Sequence, residues 1–133
     1  MATRTTATIP QRLAQTLIID VDADSTAEND VFSGVTLASK IYTFRLDNSA
    51  VNATTYLKGQ IAATYSTQNP PDIRLYAPAN TVVEYVFSSG WPANTLSGND
   101  KFSFIGASTD SSTGAQADPT GTGKMKVTLL GGT

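Results

Sequence analysis

The sequence predicts an all-β fold: a single β-sandwich of jelly-roll or immunoglobulin-like type with a flexible N-terminal arm. Three observations predict it. β-Branched and aromatic residues recur in short alternating runs, clusters of Gly, Pro, Asn, Asp and Ser separate those runs, and no helical pattern is long enough for a βαβ unit. A closed barrel fits the same pattern. At 133 residues the chain suits one domain, read here as an arm over 1–12 and a sandwich over 13–133.

Taken in order, Ala2 to Ala7 is polar and Thr-rich and reads as the arm. Leu17, Ile18 and Ile19 form the first apolar cluster. Residues 23–34 read equally as a loop or as one helical turn capped by Ser25 or Thr26. In 40–47, Tyr42, Phe44 and Leu46 fall on one face and Thr43 and Arg45 on the other, which is the period of a half-buried strand. Asp47-Asn48-Ser49 then predicts a turn, because these side chains bond their own backbone.

Thr54 to Leu57 and Ile61 to Tyr65 are further extended segments, with Gly59 between them as a bulge or turn. Pro70-Pro71 marks a loop before Ile73-Arg74-Leu75, and Pro78-Ala79-Asn80 breaks the pattern again. Residues 81–87 are the clearest strand, with Val83, Tyr85 and Phe87 inward and Val82, Glu84 and Val86 outward. Phe102 and Phe104, then Met125, Val127 and Leu129, alternate with polar residues and read as strands with one wet face. The stretch 108–123 is too rich in Ser, Thr, Gly, Asp and Pro for regular structure. The expected core is Leu17, Ile19, Tyr42, Phe44, Leu46, Val83, Tyr85, Phe87, Phe104, Val127 and Leu129.

Composition narrows the function. Nine Lys and Arg against eleven Asp and Glu give a net charge of −2, so no broad cationic face is expected for nucleic acid or an anionic membrane. There is no Cys for disulfides or thiolate chemistry and no His for a proton shuttle near neutral pH. Met1 to Thr6 leads to Pro10 without an apolar stretch of signal-peptide type, and Leu17-Ile18-Ile19 is far short of a membrane span, so the expectation is a soluble protein made in a cytoplasm.

Few residues suggest chemistry. Asp20, Asp22, Asp24, Glu28 and Asp30 lie in a segment without Lys or Arg from Leu13 to Ser39, and alternate carboxylates resemble the opening of a calcium loop. Ser25 and Val31 stand where that loop needs its turn glycine and its closing Glu, so the expectation is a solvated turn and no metal. Glu84 is the one acid within a strong strand, but its alternation with Val83 and Tyr85 places it on a solvated face rather than in a catalytic pair. Tyr42, Tyr56, Tyr65, Tyr76, Tyr85 and Trp91 are candidates for a sugar-stacking platform. Among them Trp91 is the candidate ligand contact, with a buried plug at the sandwich end as the competing reading. The chain is expected to be no enzyme and to need no cofactor.

One stretch carries a resemblance. Asp47-Asn48-Ser49-Ala50-Val51-Asn52, Tyr56-Leu57-Lys58, Pro70-Pro71-Asp72-Ile73, and Pro78-Ala79 before Val83-Glu84-Tyr85-Val86-Phe87-Ser88-Ser89-Gly90-Trp91 resemble small β-sandwich virion proteins of tailed bacteriophages, such as those infecting cyanobacteria. The likeness spans residues 40–91. It implies a head decoration or cement protein on the capsid surface, made in the host cytoplasm, bound to the major capsid protein and to itself as a homotrimer, and it transfers no catalytic residue. Pro78-Ala79-Asn80 departs from the Gly-rich turn of that pattern, which leaves a tail or baseplate component, or a receptor-binding carbohydrate module, as the alternative.

Overall fold

The computed structural model describes the backbone of residues 2–5, 8–9, 14–21, 30–37, 40–60, 65–66, 68–92, 101–108 and 121–132, and most of their side chains. Among the described residues there are ten strands and no helix: β1 (Ala2–Thr5), β2 (Thr8–Ile9), β3 (Ala14–Val21), β4 (Asp30–Leu37), β5 (Lys40–Asp47), β6 (Thr55–Gln60), β7 (Ile73–Ala77), β8 (Val82–Pro92), β9 (Lys101–Ala107) and β10 (Gly123–Gly132).

They form two sheets. The first runs β1-β4-β9-β6-β7, with β2 also on β4, and the second runs β3-β10-β5-β8. Pairing is antiparallel except at β1 and β2, which run parallel to β4 opposite Asp30–Ser33 and Thr36–Leu37. Because β9 takes the other side of β4 over Val31 to Thr36, the two short strands follow one another along a single edge. The fold is therefore an all-β sandwich, as the alternation predicts.

Alternation buries one face of each sheet against the other. Ile19, Val21, Phe44, Leu46, Met125, Val127 and Leu129 meet Leu57, Ile73, Leu75, Ala77 and Phe104, with Val83, Tyr85 and Phe87 half-buried at the margin. Phe44 sits at the centre. Its ring stands edge-on to Phe87 at 5.9 Å and to Phe104 of the opposite sheet at 6.3 Å, the offset that aromatic quadrupoles favour.

Several expectations change. Tyr42 is half-buried and Ile41 fully buried, because the register slips between Ile41 and Thr43 against β8 and between Leu130 and Gly131 against β10. A one-residue slip moves side chains to the opposite face. Gly59 is neither bulge nor turn, since β6 runs straight through it. A Cβ there would meet Ile73 and Phe104 at 2.9 Å, so Gly59 leaves the space that the Phe104 ring fills. The helical-turn reading of 23–34 fails from Asp30 onward, where Val31, Phe32 and Val35 join the ladder of β4, and 22–29 lie outside the described residues.

β9 has no wet face among its described side chains: Ser103, Phe104, Ile105 and Ala107 are all buried. As a central strand it is covered on the core side by the second sheet, and outside it Tyr65 packs on Ile105. β8 extends past Phe87 to Pro92, taking Gly90 and Trp91 out of the expected turn. Residues 61–64, the side chain of Leu17 and residues 109–120 lie outside the described set.

Candidate functional site

The Asp47-Asn48-Ser49 turn organises one end of the sandwich. The Asp47 carboxylate accepts from both the amide and the hydroxyl of Ser49, which holds its carboxyl below the usual carboxylate value, with Arg45 and Lys126 adding to the effect. Asn48 is fully buried, and its Nδ2 donates to the carbonyls of Ala53, Ala77 and Pro78 at 3.0–3.1 Å. Its amide donates to the Thr81 carbonyl, so one residue ties the 48–53 loop to the 77–81 turn. Asn80 supplies the left-handed conformation that this turn needs, at φ 58°. Gly123, the first residue of β10, packs against the 48–53 loop at φ 118°, where a Cβ would strike the Ala50 carbonyl. The DN turn is thus a structural hub.

The outer face of the first sheet carries an aromatic pair. Tyr56 and Tyr76 are directly opposite on β6 and β7 with ring centroids 5.6 Å apart, and Tyr76 is 49% exposed. Lys58 lies buried beside them, its Nζ 5.6 Å from the Tyr56 centroid. A ring pair with a cation at its flank suits a flat apolar ligand surface. Nearby, Gln60 orders the Pro-rich loop: Nε2 donates to the carbonyls of Ser66 and Asn69, and Oε1 accepts from the Ser66 amide at 2.7 Å. Tyr65 is buried with its hydroxyl unpartnered, and burial, reinforced by the charge of Asp72, pushes its pKa up to about 12.

The outer face of the second sheet is open to solvent. Thr16, Ile18, Arg45, Val82, Glu84, Val86, Lys124, Lys126 and Leu130 are exposed there. Four are large and apolar, with Val86 at 68%. Arg45 lies 3.8 Å from Asp47 on this face, an ion pair open to solvent.

The residues singled out from the sequence scatter. Glu84 is exposed on β8 opposite Arg45, as its alternation predicts. Trp91 stands in β8 opposite Ile41, and its side chain lies outside the described set. Asp20 pairs by backbone with Lys124, while Asp22, Asp24 and Glu28 lie outside the described residues. Of the tyrosines, Tyr56 and Tyr76 come together, Tyr65 is core and Tyr85 reaches the edge of β7. Burial of Lys58 escaped the sequence, because a lysine alternating with Leu57 carries the signature of a wet face.

No family model and no curated protein matches the chain. Among solved structures, the coat protein of Tobacco streak virus as a dimer is similar at 13% identity and a TM-score of 0.37, covering 90% of this chain and 86% of that one. The same coat protein in another crystal form is similar at 14% and 0.37, covering 92% and 88%. A likeness of this size carries no argument about role.

Proposed function

We propose that this chain is a structural protein of a virion, a decoration or cement protein that binds the assembled head of a tailed phage through its major capsid protein. The motif resemblance over 40–91 supports the reading. The single observation behind its mechanism is the arm: β1 and β2 lie end to end on the edge of β4, in parallel pairing. Edge pairing uses backbone groups that every chain possesses, so such strands can be given to a neighbour's sheet edge instead. The arm is then a clasp on the shell, and grouping of copies, threefold by the sequence expectation, multiplies weak contacts.

The experiment is occupancy on shells stripped of the protein, comparing the full chain with a variant lacking residues 1–12, with circular dichroism to confirm the fold. A loss of tenfold or more is expected, and undiminished occupancy refutes the clasp. Light scattering on the free protein reads the copy number.

A carbohydrate-binding reading is favoured by the Tyr56–Tyr76 pair beside Lys58. A glycan array with Tyr76→Ala and Trp91→Ala separates the two: a ligand lost on either substitution supports sugar binding at that residue.

A further inference from the structure

We infer that the outer face of the β3-β10-β5-β8 sheet is a self-association face, on which a second copy of this chain docks about a twofold axis parallel to the strands, between β10 and β5. The inference stands apart from the virion reading and uses no residue of the arm.

The registers arrange this face in rows. Ile18, Lys126, Asp47 and Val82 form one; Thr16, Thr128, Arg45 and Glu84 form the next; Leu130, Thr43 and Val86 continue the third. The apolar members are open, with Ile18 at 38%, Val82 at 45%, Leu130 at 42% and Val86 at 68% exposure. They give a partner apolar area to cover between the charged positions.

Charge decides the partner and its orientation. A twofold axis along the strands lays β10 on β5 of the second copy and β3 on its β8, each row facing itself. Lys126 then faces Asp47 of the second copy twice over, once on each side of the axis. In the same row Ile18 faces Val82, so the row is apolar at both ends and paired in charge at its centre. An axis across the strands through the Arg45 row instead sets Arg45 on Arg45 and Glu84 on Glu84, which like-charge repulsion opposes. With the axis along the strands the face is self-complementary, which is the requirement for an isologous contact.

Size sets the strength. Four strands about 4.8 Å apart, over about eight residues rising ~3.4 Å each, give a footprint on the order of 500 Å². Stable interfaces cover about 800 Å² per partner, so this contact is weak and forms at high concentration or on a surface that holds copies side by side.

Sedimentation equilibrium of the full chain, over about 1–500 μM, tests the inference. The mass is expected to rise with concentration toward twice its low-concentration value. Lys126→Glu and Asp47→Lys should each weaken self-association by about tenfold or more, while an equimolar mixture of the two variants should dimerise, since both cross-axis pairs are then opposite in sign. Asp47 also holds the Ser49 turn, so Ile18→Glu mixed with Val82→Lys repeats the test without touching that turn. Recovery in a mixture supports the face. A wild-type mass that does not rise up to the highest concentration, or mixtures no better than the single variants, would overturn it.

Discussion

Tyr85 of β8 joins the two sheets at their shared margin: its hydroxyl donates to the Tyr76 carbonyl at 2.8 Å and accepts from the Tyr76 amide at 3.3 Å. Among the described residues β7 pairs only with β6, and at Tyr76 both backbone groups point away from β6. One phenol satisfies them both. Tyr85→Phe should cost about 0.5–1.5 kcal/mol, because water still reaches part of this edge. Hydrogen exchange should accelerate at the Tyr76 amide and not at Leu75 or Ala77, whose amides face β6; a uniform change would contradict the link.

Phe44 is the ring that both sheets share. Phe44→Ala should cost about 3–5 kcal/mol by chemical denaturation, since Phe87 and Phe104 cannot close the space without leaving their own contacts. A loss under about 1 kcal/mol would mean that the ring is not central.

Asn48 holds three carbonyls with one amide nitrogen. Asn48→Ala leaves them short of a donor and should cost about 2–4 kcal/mol. Asn48→Asp should be worse near neutral pH, because it turns a carboxylate toward acceptors, and should recover toward the alanine variant in acid as that carboxylate protonates. Melting curves of the two variants at several pH values check the order.

Tyr65 has a buried hydroxyl without a partner. Tyr65→Phe removes a group that was dehydrated for nothing, and should be neutral or stabilising by up to about 1 kcal/mol at pH 8. The alkaline behaviour follows from the raised pKa: the stability contributed by the neutral phenol is complete below the ordinary value of 10.0 and is lost as pH rises toward about 12. Wild type should therefore fall behind the Phe variant across that window, and parallel curves would contradict it.

Asp47 works in the other direction. Its folded carboxyl is held below 3.8, chiefly by Ser49, so its contribution is present at neutral pH and disappears as pH falls through the depressed value. Ser49→Ala should lower the melting temperature slightly at pH 7, and the gap to wild type should close in acid as the Asp47 carboxylate protonates. A gap that persists in acid would assign the effect to the Ser49 backbone rather than to the carboxylate.

Much of the architecture lies in local pattern. Period-two alternation in 81–87 and 124–129 is a backbone property, so it marked which of Val83, Tyr85, Phe87, Val127 and Leu129 turn inward before any partner strand was known. Asp47-Asn48-Ser49 likewise announced its turn, because the carboxylate bonds a residue two positions away. What depends on distant chain was settled only by the assembled sheets. The slip at Ile41 and Thr43 comes from β5 serving β8 and β10 together, and it exchanges Ile41 for Tyr42 in the core. Burial of Lys58 and Ser103 comes from strand order, since β6 and β9 sit inside the sheet, where Tyr65 packs over Ile105 on the outer side. The rows that place Lys126 beside Asp47 and Ile18 in line with Val82 join residues as distant in the chain as Ile18 and Lys126. Local sequence sets which way each side chain points, but only the register between strands decides what stands next to it.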